Sequence, residues 1–193
     1  MDLTQGTEEK KHGRAKKMML WFGIISMVMT FAGLTSAYVV SKNRPDWLSD
    51  FELPISFLWS TLVIIGSSIT LMLSKKMIKS GDRRNASAFL IGTLILAILF
   101  IVFQFYSFSE IVQSGYYFTG SESTITTSFI YVLVLVHLAH LAVGVIVLLI
   151  LIYNHFKQRY SAGQMLGFEL GATFWHFVDL LWLYLIFFLY FFK

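Results

Sequence analysis

Residues 167–192 read GFELGATFWHFVDLLWLYLIFFLYFF, a run apolar and aromatic enough to cross a bilayer that still carries Glu169, His176 and Asp179. At 3.6 residues per turn, Glu169, Thr173, His176 and Asp179 fall on one stripe of a helix. An acid at the centre of a membrane helix costs about 2.5–3.5 kcal/mol on the insertion scale, so such a stripe is expected to face protein. A span with an inward polar face requires sister helices, and the rest of the chain supplies them.

Of 193 residues, 56% are hydrophobic, 17% aromatic and only 13% charged, a composition outside the range of soluble domains. A span needs about 20 mainly apolar residues. Segments 18–41, 54–74, 87–108, 127–153 and 167–192 meet that length. The runs are long and lack a two-residue alternation, which favours helices over a barrel. The expected fold is all-α: a five-helix transmembrane domain over 18–193, preceded by a basic, flexible tail over 1–17. The first apolar run is too long for a signal-peptide core and is read as a span. Pro54 is expected in the first turn of span 2, with Pro45 and Pro54 bracketing the outer connection. Trp21, Trp47 and Trp59 are expected as interface anchors.

The formal charge of +4 does not point to nucleic acid, because the basic residues flank the spans. Twelve of the fifteen lie on one side: Lys10, Lys11, Arg14, Lys16 and Lys17, then Lys75, Lys76, Lys79, Arg83 and Arg84, then Lys157 and Arg159. Lys42, Arg44 and Lys193 lie on the other. The positive-inside rule places the N-terminus in the cytoplasm and the C-terminus outside. The chain has no cysteine, which excludes disulfides, thiolate metal sites and thiol nucleophiles. The sequon at Asn85 falls on the cytoplasmic side and reads as accidental.

In span 2, Ser56, Ser60, Ser67 and Thr70 with Gly66 form a small, weakly polar pattern that lets helices approach closely in lipid. In span 4, His137, His140 and Gly144 share a face. Counting inward from opposite membrane faces puts His140 and Asp179 at similar depth, so a contact between them is expected. Three roles compete for His137, His140, Glu169, His176 and Asp179. They are buried, mutually satisfied groups that fix helix register. Or the histidines join Lys157 and Arg159 in holding lipid phosphate. Or His137 or His140 pairs with His176 around a haem b, as in the membrane anchor of a quinone-linked oxidoreductase. A proton relay through Glu169, His176 and Asp179 lacks a continuous path, since spans 1–4 add only Glu110. A small transporter fits less well, because no broken helices or inverted repeats are visible.

The run from Gly167 to Trp182, with WHFVD at Trp175–Asp179, resembles the last helix of subunit III of the haem-copper oxidases. HLAHLAVG at His137–Gly144 is similar to that family's H-x-x-H helix, and STLVIIGSSIT at Ser60–Thr70 to its small-residue helix; Gln104 and Glu110 agree more loosely. The familiar subunit has seven helices, and this chain resembles its five-helix part, in a short bacterial form. In one departure, Ile25 and Ser26 are followed by Met27 where the family often has a membrane-embedded glutamate.

The resemblance implies an accessory, non-redox subunit of a respiratory oxidase in the bacterial plasma membrane, oxidising cytochrome c or, alternatively, quinol. It implies subunits I and II as partners, with a small subunit IV or a larger supercomplex. Haems and copper are expected on those partners and none on this chain, with bound phospholipid. Assembly and proton uptake at subunit I are the expected roles.

Overall fold

Each apolar run becomes one α-helix in the computed structural model, which describes residues 8–44, 47–48, 53–120, 123–160 and 164–192. The helices are α1 (Glu8–Ser41), α2 (Ser56–Lys79), α3 (Arg83–Gln113), α4 (Ile125–Phe156) and α5 (Leu166–Phe191). All five are long and apolar enough to cross a membrane. At 1.5 Å per residue they run from about 36 to 51 Å, so they tilt or project beyond a hydrocarbon core of roughly 30 Å. Large apolar side chains such as Phe22, Met29, Leu62, Phe105 and Phe187 are exposed around the outside, as a lipid-facing surface requires.

Residues 8–17 differ from expectation. They continue α1 outward as helix instead of forming a flexible tail. The absence of an apolar period reports that a segment is not buried; it does not report that it is not helical. Once a span supplies the nucleus, each added residue gains one hydrogen bond, and a run of Lys, Arg and Ala carries that easily. Gly13 lets this extension lie against Leu166, whose Cδ2 would stand 3.2 Å from an added Cβ. Residues 1–7, Pro45 and Lys193 lie outside the described residues, as does the side chain of Lys10.

Three helices end in the same way. In α2, Asp82 N–H donates to Met77 O and Gly81 N–H to Ile78 O, at 3.0 and 3.2 Å, with Gly81 at φ 83°. Gly115 at φ 86° ends α3, and Gln158 at φ 56° ends α4, each with the same pair of bonds back to the last turn. Glycine adopts this left-handed backbone freely, whereas Gln158 does so against its Cβ. Asp82 then caps α3 by accepting from Asn85 N–H at 3.2 Å, and Thr124 and Thr127 form a reciprocal capping box on α4. Pro54 sits two residues ahead of α2 and not in its first turn, its carbonyl accepting from Phe57 N–H at 3.1 Å.

Helix α5 is the hub, touching α1, α2 and α4. The α2–α3 hairpin packs most extensively, α3 touches α4, and α1 rests on α4 and α5; among the described residues no Cα of α1 comes within 8 Å of one of α2. Trp182 lies at the centre, with Phe100 edge-on at 5.2 Å and Phe57 at 5.8 Å. In lipid this packing works by van der Waals contact and hydrogen bonds, since the tails are as apolar as the side chains. The small-residue pattern of α2 lies at helix contacts, as expected, with Ser56, Ser60, Ser67 and Ser74 buried and pointing at the neighbouring helices. Trp21 and Trp59 are exposed as anchors should be, but Trp47 instead packs edge-on against buried Tyr38 at 4.8 Å.

Candidate functional site

The polar stripe of α5 meets α2, and the two helices run antiparallel. As α2 positions fall from 75 through 68 to 61, their α5 partners rise from 169 through 176 and 179 to 182. At the first rung Glu169 pairs with Lys75 at 3.3 Å and Lys79 at 4.0 Å. At the last, Trp182 Nε1–H donates to Thr61 Oγ1 at 3.1 Å. Rungs about seven residues apart keep one face of each helix in register.

The middle rung is the densest. Ser68 Oγ donates to Asp179 Oδ2 at 2.5 Å and stands 2.8 Å from His176 Nδ1. A hydroxyl has one proton, so once Ser68 gives it to the carboxyl its oxygen accepts from Nδ1–H, which assigns the His176 tautomer. Ser67 Oγ accepts from Trp175 Nε1–H at 3.1 Å and lies 3.5 Å from Asp179 Oδ2. Its own proton is directed to Ile64 O at 2.7 Å, so the Asp179 contact is the weaker of the two. Asp179 is buried, His176 half-buried.

A second seam joins α2 to α3. Ser56 Oγ donates to Glu110 Oε2 at 2.9 Å, Ser107 Oγ to Ser56 Oγ at 2.8 Å, and Gln104 Nε2–H to Ser60 Oγ at 3.0 Å. Thr70 and Thr93 hydroxyls meet at 2.9 Å. Thus α2 makes hydrogen bonds on both flanks, to α5 and to α3.

The histidines of α4 part company. His137 is fully buried, its ring 5.0 Å from Trp182 and edge-on to Phe100 at 6.2 Å, and neither ring nitrogen has a hydrogen-bond partner among the described residues. His140 turns toward α1, with Phe31 at 5.6 Å, and its Nδ1–H donates to Val136 O at 2.7 Å. The expected contact between His140 and Asp179 is not formed. Their depths do match, because His137 packs against Trp182 and Gly144 meets Trp175 one turn on either side. The directions differ: Asp179 points at α2 and His140 at α1. Met27 is buried one turn before Phe31.

Lys157 and Arg159 do not join the histidines. Lys157 caps α4, its Nζ 4.7 Å above the Tyr153 ring, and Arg159 donates to Asn154 Oδ1 at 3.2 Å. Seventeen residues separate Lys157 from His140, about 26 Å along a helix. In this loop Tyr160 packs against Phe168, and burial raises its phenol above the usual range, the Asn154 and Arg159 contacts offsetting part of the shift. Sequence reading missed His155, buried with Nε2 2.9 Å from Ser87 Oγ, and Thr35, whose hydroxyl meets Tyr184 Oη at 3.0 Å. Single polar residues near helix ends carry no spacing signal that would have found them.

Fold and seams together define a multi-pass membrane protein whose intramembrane polar groups tie helices to a central span. The family model for cytochrome c oxidase subunit III matches residues 4–193. A cytochrome c oxidase subunit 3 from Loxodonta africana is 28% identical over 94% of this chain and 72% of its own length. One from Bacillus sp. (strain PS3) is 26% identical over 90% and 84%, and one from Spodoptera frugiperda 31% identical over 70% and 86%. The chain belongs to the cytochrome c oxidase subunit III family, and with it to the accessory subunits of the respiratory haem-copper oxidases.

Proposed function

We propose that this chain is a structural, non-redox subunit III of a cytochrome c oxidase in a bacterial plasma membrane, with oxidase subunits I and II as its partners. A small subunit IV or a larger respiratory assembly fits the same role. The observation that carries the reading is the middle rung. Asp179, His176 and Trp175 are each engaged by Ser67 or Ser68, so the most polar part of the bundle is spent on holding α5 to α2.

The geometry disfavours the haem-anchor alternative. A bis-histidine haem needs two imidazoles facing one space, whereas His137 lies under Trp182, His140 beside Phe31 and His176 against Ser68. The described residues also hold no group of three metal-ligating side chains. In this reading oxygen reduction belongs to the partner subunits, where the haems and copper reside. This chain contributes a rigid surface that supports subunit I, its assembly and its proton uptake.

An affinity tag on this chain tests the proposal. In mild detergent it should bring down haem-containing subunits that oxidise ferrocytochrome c. Separated from them in a harsher detergent, the chain should show no Soret band, all of the haem remaining with the other fraction. Haem retained by the isolated chain, or a catch without oxidase activity, would overturn the reading.

A further inference from the structure

Helices α2, α3, α4 and α5 close a ring in which α2 packs on α3, α3 on α4, α4 on α5 and α5 on α2. Across it, among the described residues, no Cα of α2 comes within 8 Å of one of α4, nor one of α3 of one of α5. Side chains therefore fill the axis, and Phe100, Gln104, His137 and Trp182, all fully buried, do so at one level. Their partners fix that level. Gln104 Nε2–H donates to Ser60 Oγ at 3.0 Å and Trp182 Nε1–H to Thr61 Oγ1 at 3.1 Å, and Ser60 and Thr61 are consecutive on α2. The His137 ring stands 5.0 Å from that of Trp182 and 6.2 Å from that of Phe100, which lies one turn before Gln104 on α3. Gln104 and His137 thus reach the axis within about one turn of each other, from neighbouring helices.

Both residues have buried polar atoms left over. Gln104 Oε1 and the two ring nitrogens of His137 have no hydrogen-bond partner among the described residues. The side chains around them have no proton to spare. Ser60 and Thr61 carry one hydroxyl proton each, and both go to Phe57 O, at 2.8 and 2.7 Å. The single N–H of Trp182 is given to Thr61, and the Phe100 side chain has no polar atom. Exchanging the ends of the Gln104 amide would leave an N–H over in place of the oxygen, so the deficit does not depend on that assignment. A neutral imidazole adds one N–H and one bare nitrogen. What this level lacks is a small group that both donates and accepts. Buried polar groups without a protein partner are matched by bound water where there is room for it. Ser60 on α2 and Ala97 on α3, both fully buried, keep the wall around this level small.

We infer that the axis of this ring binds a water molecule between α3 and α4, which donates one proton to Gln104 Oε1 and is hydrogen bonded to the His137 imidazole. The second bond is accepted from the ring N–H or donated to the bare nitrogen, and either arrangement balances. Through it the first histidine of the H-x-x-H pair becomes a link between α4 and α3. The site lies wholly within this chain and does not depend on the oxidase assignment.

The test uses the intact complex purified in detergent. A cryo-EM map sharp enough to resolve ordered water should show a peak within hydrogen-bond distance of both Gln104 Oε1 and a His137 ring nitrogen. A direct His137–Gln104 bond, or ring and amide packed with no peak between them, overturns the inference. A double-mutant cycle reads the same link in stability. His137→Phe keeps an aromatic ring and removes both nitrogens; Gln104→Met keeps an unbranched chain and removes the amide. For a dry, unpartnered imidazole, His137→Phe would raise the thermal midpoint. With the water bound it should lower the midpoint by about 2–4 °C, the shift expected for one buried hydrogen bond in a chain of this size. Gln104→Met should lower it as well, and the double variant should fall by less than the two shifts summed, because one water serves both residues. A midpoint raised by His137→Phe, or strictly additive shifts, overturns the inference. Where a variant fails to assemble, the map of the parent complex decides.

Discussion

Ser68 stands between a carboxyl and an imidazole, and both depend on its single hydroxyl. Ser68→Ala removes the donor to Asp179 and the acceptor for His176 together. Leaving buried polar groups unmade costs about 1–3 kcal/mol, so the thermal midpoint of the detergent-purified protein should fall clearly. Ser68→Thr keeps the hydroxyl and should cost much less. Asp179→Asn retains an oxygen to accept from Ser68 and should assemble nearly as the parent does. Asp179→Leu leaves Ser68 only its His176 contact and should lower both yield and durability during turnover. Equal midpoints for Ser68→Ala and the parent would remove the middle rung from the account. These residues show what sequence could and could not convey. Helical period and rise are enough to find the α5 stripe and the matching depths of His140 and Asp179, because both follow from fixed geometry. Direction does not follow: His137 and His140 sit about 60° apart around α4, enough to aim one at α5 and the other at α1. The serines that meet Asp179 Oδ2 carry only a close-packing signal, since a serine that packs and one that donates look alike in one dimension.

Helices are joined by motifs whose cost shows most clearly at Gln158. Gly81 and Gly115 end α2 and α3 in a left-handed backbone, and Gln158 does the same for α4 at φ 56°. That conformation costs an L-residue about 1–2 kcal/mol, so Gln158→Gly should stabilise the protein by about 1 kcal/mol and raise its thermal midpoint. An unchanged or lower midpoint would mean that the side chain contributes something the backbone argument omits. At the α4–α5 interface the opposite holds. A Cβ on Gly171 would stand 2.9 Å from Leu151 Cδ1, so Gly171→Ala should push the helices apart at about 1–3 kcal/mol. Leu151→Ala should then cost less in that background than alone, a coupling that a double-mutant cycle reads directly. Element existence was legible because length and apolarity answer to bilayer thickness. The extension of α1 back to Glu8 was not, because helix outside the membrane needs no apolar face.

For the molecule as a whole, the helices fix which connections share a side, although not which side is the cytoplasm. With five spans, the start of α1, the α2–α3 turn and the α4–α5 connection lie together, and the α3–α4 connection lies opposite. The first set holds Lys11, Arg14, Lys16, Lys17, Lys75, Lys76, Lys79, Arg83, Arg84, Lys157 and Arg159, whereas the α3–α4 connection holds no basic residue. Positive charge is retained on the cytoplasmic side during insertion, so the expected placement has Ser80 inside and Ser114 outside. The chain is naturally free of cysteine, which makes each introduced thiol unique. Ser80→Cys and Ser114→Cys both fall on exposed turn positions where little packing is disturbed. In intact cells a membrane-impermeant maleimide should label Ser114→Cys and spare Ser80→Cys until the membrane is opened. The reverse pattern would invert the bundle.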